Sequence, residues 1–203
     1  LIWNHYTEAA LEEQSETLIS SLDYAEQADF PSASKIVAPL ITGDDTGPAA
    51  RAAARFMQAG AAIEQGDTAK AAGLYKEVAA DADAPPALRD LARIREVSLD
   101  FDRMKPADVI AKLGSLARPG HPYFGYAGEL AAMAHLEAGN NAEAGRLFAA
   151  IAKDENLPET LRSRARQMAV LLGVDAVVDV GKLLKDQGVE GAGDAVRSTA
   201  AAE

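Results

Sequence analysis

Three histidines, His5, His121 and His135, are the side chains of this chain best suited to proton transfer or metal ligation near neutral pH. They lie far apart in sequence, and none stands in an H-E-x-x-H or similar spacing, so no metal site is expected. There is no cysteine, hence no thiol nucleophile, thiolate metal site or disulfide framework, an absence that fits the cytosol and the periplasm equally. Carboxylates are plentiful, but in an acidic chain most form the solvated face, and pairing two of them as acid and base would be arbitrary. The chain also lacks a Walker loop, a dinucleotide fingerprint and a G-x-S-x-G elbow. The expectation is a protein with no catalytic residues and no cofactor; an unrecognised hydrolase working through His121 or His135 is the competing reading.

The spacing of the arginines suggests recognition chemistry instead. Arg51 and Arg55, Arg89 and Arg93, and Arg162 and Arg166 are three i, i+4 pairs, each three or four residues after a proline that opens a helix. Cations near a helix N-terminus are mildly unfavourable, so acidic neighbours or a ligand should compensate them. The acidic candidates are Asp44, Asp45, Asp81, Asp83, Asp154 and Glu155 in the preceding turns. A second cluster, PGHPYFGY from Pro119 to Tyr126, opens a helix carrying Glu129, Met133 and Leu136. It either presents rings and a methionine to a peptide or packs as an elbow. The candidate protein-binding residues are therefore Arg51, Arg55, Arg89, Arg93, Tyr126, Glu129, Met133, Arg162 and Arg166.

The elements that position them are helices. Of 203 residues, 44 are alanine, the best helix former, whereas Trp occurs once and Tyr and Phe five times each. No stretch alternates as a half-buried strand would, so the expected class is all-α. The net charge of −11 and the absence of a basic cluster argue against binding nucleic acid. No run of 18 apolar residues occurs in the chain.

An internal repeat organises these helices. EQGDTAKAAGLYKEVAADADAPPALRDLAR from Glu64 aligns without a gap with EAGNNAEAGRLFAAIAKDENLPETLRSRAR from Glu137, at a constant offset of 73. Half of that offset is close to a helix-hairpin repeat of about 34 residues. Gly66 and Gly139 end one helix at positive φ, and Asp67 and Asn140 then cap the next. Ala71, Leu74, Tyr75 and Val78, matched by Ala144, Leu147, Phe148 and Ile151, form one buried stripe. Pro85 and Pro158 separate that helix from its successor. Between the copies, helices are expected from Pro86 to Phe101 and from Pro106 through Val109, Ile110, Leu113 and Leu116. Upstream, a helix is expected from Thr7 to Ala28 with a seam of Leu11, Leu18, Leu22 and Ala25, then one from Ser32 to Leu40 and a loop from Thr42 to Pro48. Residues 1–187 would form a single repeat domain, comprising a long N-terminal helix within 1–28 and a capping helix over 174–187 at its end; residues 188–203 read as a tail.

The turn glycine, the alanine five residues later and the aromatic four beyond it resemble the second half of the tetratricopeptide pattern, over residues 56–85 and 129–158. The large aromatic expected early in the first helix of each repeat is absent, so the repeats are degenerate. The stretches YTEAALEEQSETLISSLDYAEQADFPSASKIVAPLI, KPADVIAKLGSL and FAAIAKDENLPETLRSRARQMAVLLGVD look like the soluble part of a bacterial family. Its members are membrane-anchored, tetratricopeptide-like proteins similar to the ancillary subunit of the SecYEG translocon. The resemblance implies an α-solenoid of degenerate helix hairpins on the periplasmic side of the inner membrane. It implies one upstream membrane helix, with translocon components and periplasmic chaperones as partners. Leu1 and Ile2 would then close the membrane span, with Trp3 and Tyr6 at the interface or, in the plainer reading, covering the first helix pair. The chain is thus expected to be a non-enzymatic scaffold; the alternative is a self-associating adaptor, a homodimer joined through the helix from Thr7 to Ala28.

Overall fold

A computed structural model describes the backbone of residues 2–174 and the side chains of residues 8–174. The expected capping helix over 174–187 and the tail over 188–203 lie, apart from Val174, outside the described residues, as do the side chains of Trp3, His5 and Tyr6. The described chain is helical, with no strand. Its elements are α1 (Ile2–Glu26), α2 (Phe30–Ile36), α3 (Ala38–Thr42), α4 (Pro48–Glu64), α5 (Thr68–Ala80) and α6 (Pro86–Asp100), then a 3₁₀ turn η1 (Phe101–Arg103), α7 (Pro106–Leu113), α8 (Phe124–Glu137), α9 (Asn141–Lys153) and α10 (Glu159–Leu171). They divide into two compact units, one ending at Leu116 and the other beginning at Ala117.

In the first unit α5 packs between α4 and α6, and α1 and α2 pack against α4. Ala52, Ala59, Ala62, Ala71, Ala84 and Ala92 fill the contacts around α5, with Tyr75 and Val78 supplying bulk. Phe56 meets the Tyr75 ring edge-on, with centroids 5.1 Å apart. Val37, Leu40 and Ala54 form a second small core, against which Leu18, Ile36 and Met57 pack. Three side chains fasten the start of the chain to it. The Ser21 hydroxyl donates to the Ala33 carbonyl at 2.9 Å, and the Gln58 amide to the Ser34 carbonyl at 3.1 Å. The Gln14 amide bridges the loop before α4, donating to the Asp45 carbonyl and accepting from the Gly47 N–H.

The region expected as one helix from Ser32 to Leu40 is two. The cause is Pro39, which has no N–H to continue the ladder from α2; Val37 ends one helix and heads the next, and the Leu40 N–H reaches back to the Val37 carbonyl at 3.0 Å. That first helix also begins earlier, at Phe30, because Asp29 caps it by accepting from the Ser32 N–H at 3.1 Å. The Ser32 hydroxyl and then its N–H pull the Asp29 carboxyl below its ordinary range. Leu116 falls beyond α7, buried in the turn that follows.

The second unit repeats α4–α5–α6 as α8–α9–α10. At the offset of 73, α4 and α8 end together at Glu64 and Glu137, α5 and α9 coincide at both ends, and Pro86 and Glu159 open the third helices. Gly66 and Gly139 have φ of 78° and 76°. The N–H groups of Asp67 and Asn140 donate at 2.8 Å to the carbonyls of Ala62 and His135, again 73 apart. Asp81 and Asp154 close matching turns by accepting from the N–H groups of Asp83 and Asn156, each at 3.0 Å. One detail differs: the Asp67 side chain caps α5 through the Lys70 N–H, whereas Asn140 occupies the same position with no side-chain bond.

Neither turn glycine has an atom within 4 Å of an added Cβ, so a substitution there strains only the backbone. Gly66→Ala and Gly139→Ala should each cost about 1–2 kcal/mol in urea denaturation, by nearly equal amounts. Burial pushes the Tyr75 phenol above its ordinary value, against an opposing pull from Arg95. The folded state then holds a proton that the unfolded chain releases, so the associated stability is intact below about pH 10 and declines above it. Tyr75→Phe, which copies Phe148, should change stability at pH 7 by no more than about 1.5 kcal/mol and flatten the alkaline decline in pH-dependent thermal melts.

Candidate protein-binding surfaces

The structure gives the three arginine pairs different surroundings. On α4, Arg51 donates to the Thr46 carbonyl at 3.0 Å and the Gly43 carbonyl at 3.5 Å, fastening the Thr42–Pro48 loop. Arg55 donates from Nε to Glu77 of α5 at 3.0 Å, closing that hairpin, while its Nη1 is buried without a hydrogen-bond partner. On α6, Arg93 contacts Asp90 at 3.4 Å, and Arg89 is half-buried with no ion pair among the described residues. On α10, Arg162 and Arg166 share Glu159, the first residue of that helix; Arg162 pairs closely with it and Arg166 lies 3.9 Å away. The Arg162 Nε is buried and unpartnered. Glu159 supplies the compensating negative charge that a cation at a helix N-terminus calls for. The partners seen are Glu77, Asp90 and Glu159; Asp81 and Asp154 instead shape turns. Arg51, Arg55, Arg89 and Arg93 belong to the first unit and Arg162 and Arg166 to the second.

The aromatic cluster of the second unit splits in two. Phe124 is fully buried at the heart of the α8–α9–α10 core, beside Phe148, Ile151 and Leu161. Tyr123 is half-buried, and its N–H donates to His121 Nδ1 at 3.2 Å, which makes this part an elbow. Tyr126 is 62% exposed and Met133 44% exposed, two turns apart on α8. Between them Glu129 accepts both arms of Arg164 from α10, at 2.6 and 2.8 Å. That fork, through its hydrogen bonds first and its charge second, holds the guanidinium above its ordinary pKa. Residue types alone give no sign of Arg164 as the partner of Glu129, because the two are 35 residues apart.

Two features are visible only in three dimensions. Glu96 of α6 is nearly fully buried, and Lys112 of α7 reaches it at 2.6 Å, joining the two helices. Between α1, α2 and α4 lies an open apolar groove of about 360 Å³, lined by Leu22, Ala25, Phe30, Phe56, Met57 and Gly60 among others. Leu22, assigned to a self-association seam on sequence, forms one wall, whereas Leu18 of the same seam turns into the Val37–Leu40 core. Among the described residues there is no cluster of three or more potential metal ligands and no helix long and apolar enough to cross a membrane. The His135 Nδ1 is buried without a hydrogen-bond partner. No protein-family model, curated protein or solved structure matches this chain.

The two ion pairs differ in burial, and their removal should separate accordingly. Lys112→Ala leaves a buried carboxylate without its partner and should cost about 1–3 kcal/mol in chemical denaturation. Arg164→Ala breaks a pair whose arginine is mostly in water and should cost less than about 1 kcal/mol, shrinking further in high salt.

Proposed function

We propose that the chain is a non-enzymatic protein-binding scaffold built from degenerate tetratricopeptide-like hairpins. The observation that carries this reading is the backbone repeat. Residues 64–86 and 137–159 adopt the same helix end, positive-φ glycine, second helix and proline-led third helix. A unit of that kind makes surfaces more readily than reaction pockets, because its interior is filled by packed alanine and aromatic side chains. Side chains available to a partner include the exposed Tyr126 and Met133 on α8 and, in part, the half-buried Arg89 on α6, residue types favoured at interfaces. The arrangement as a solenoid with a shared concave groove belongs to this proposal. So does the setting suggested by the sequence resemblance: a domain on the periplasmic side of a bacterial inner membrane, tethered by an upstream helix, near the secretion translocon and periplasmic chaperones.

Photo-crosslinking in intact cells, from an amino acid introduced singly at Arg89, Tyr126 and Met133 of the full-length protein, tests the reading. Adducts with translocon subunits or periplasmic chaperones are the expected result. Absence of adducts from all three positions, or adducts only with another copy of the chain, would overturn it.

A further inference from the structure

The groove between α1, α2 and α4 continues into a row of exposed apolar side chains on α1. Leu11, Ile19 and Leu22 are each more than half exposed and share one face of the helix, with Leu22 forming a wall of the groove. The row from Leu11 to Leu22 is about 16 Å long at the helical rise, roughly three turns. The described charges on α1 itself are of one sign. Glu8, Glu12, Glu13, Glu16, Asp23 and Glu26 are all exposed on α1, and none forms an ion pair among the described residues. Residues 1–34 contain no lysine or arginine, and Glu64 adds a further carboxylate to the groove lining.

Gly60 gives the groove its depth. It sits within α4, where glycine is about 0.5–1 kcal/mol worse than alanine, yet an added Cβ there would have no atom within 4 Å. Packing therefore gives no reason for the residue. At the equivalent place in the second unit stands Met133, protruding from α8. The same repeat position is a knob in one unit and a hole in the other.

We infer that this surface docks a basic amphipathic helix of another protein, its apolar face lying along Leu11, Ile19 and Leu22 and one large apolar side chain seated beside Gly60. Lysines or arginines flanking that face meet the carboxylates of α1. The complementarity also disfavours a second copy as occupant, since two α1 helices laid together would oppose six uncompensated carboxylates with six more. The inference rests on the reading of the chain as a protein-binding scaffold and names the partner chemistry for one of its surfaces.

The full chain is titrated against three fluorescein-labelled 18-residue peptides: a leucine–lysine sequence with leucines at helical spacing, its leucine–glutamate analogue, and a scrambled leucine–lysine sequence with no apolar face. Anisotropy should show binding of the first peptide at least tenfold tighter than of the other two, weakening as salt rises from 50 to 300 mM. Gly60→Met, which copies the other repeat and fills the hole, should weaken binding at least tenfold without lowering the melting temperature. Glu8→Lys/Glu12→Lys/Glu26→Lys should weaken it similarly while leaving the circular dichroism unchanged. Equal binding of the scrambled peptide, binding indifferent to both variants, or a concentration-dependent dimer that Gly60→Met abolishes would overturn the inference. Crosslinks from Tyr126 or Met133 to secretion components, with no peptide binding at α1, would sink this surface alone and leave the scaffold reading standing.

Discussion

How near α4 and α6 can come to α5 is set by the side chains between them, and those are mostly methyl groups. Ala52, Ala59, Ala62, Ala71 and Ala92 are essentially excluded from solvent. Dispersion gain falls steeply with separation, so a helix contact built on alanine must be close to be worth anything. Close approach in turn fixes the hairpin turns: three residues must reverse the chain between helices in tight contact, and Gly66 at φ 78° makes that possible. The few large residues, Tyr75 and Phe56 in one unit and Phe124 and Phe148 in the other, fill what remains. In the second unit the same closeness shows at Gly125, where a Cβ would fall within 3 Å of the methyls of Leu157 and Leu161. Such packing leaves little space between these helices, which is why the proposed recognition is assigned to the surface.

Electrostatics then decides which parts of that surface are already engaged. Arg51, Arg55, Arg93, Arg162 and Arg166 all have acceptors within the fold, mostly on their own helix or one turn away. Pairs of this kind contribute little stability when exposed, but they orient a guanidinium and reduce its availability to a ligand. The carboxylates of α1 are the opposite case. They lie on one helix without ion pairs among the described residues, and salt or a cationic partner would relieve the repulsion among them. The net charge of −11 belongs to the whole chain, but six of its carboxylates stand together on α1 beside an apolar strip, where the proposed docking would favour a cationic partner.

What sequence could reveal here followed from local chemistry and from self-comparison. The class, the turn glycines, the buried stripe of α5 and α9 and the start of α6 and α10 were legible because each depends on neighbours within a few residues, and the 73-residue offset supplied an independent check. The break at Val37 was legible in principle from Pro39, but the apolar pattern from Ser32 to Leu40 runs across it and concealed the interruption. Side-chain partners were not legible. Periodicity places Arg55 and Arg162 at similar positions after a proline, yet whether the acceptor is Glu77 on the next helix or Glu159 on the same one depends on rotamer and helix crossing. The groove beside Gly60 was hidden for the same reason, since a cavity is a property of three helices at once.

Degeneracy between the two copies separates what the fold requires from what it permits. Where both copies need the same backbone, residue type persists: Gly66 and Gly139, Ala71 and Ala144, Pro85 and Pro158. Where the fold is indifferent, the copies diverge in physically opposite directions. Phe56 packs on Tyr75, while its counterpart Glu129 leaves the core and holds Arg164. Gly60 lines a groove, while Met133 at the equivalent position is an exposed side chain. Divergence of that kind shows that the two units do not share one packing demand at those positions. It gives each unit a surface of its own, one concave and acidic and the other bearing an exposed ring and a methionine, on the same underlying three-helix frame.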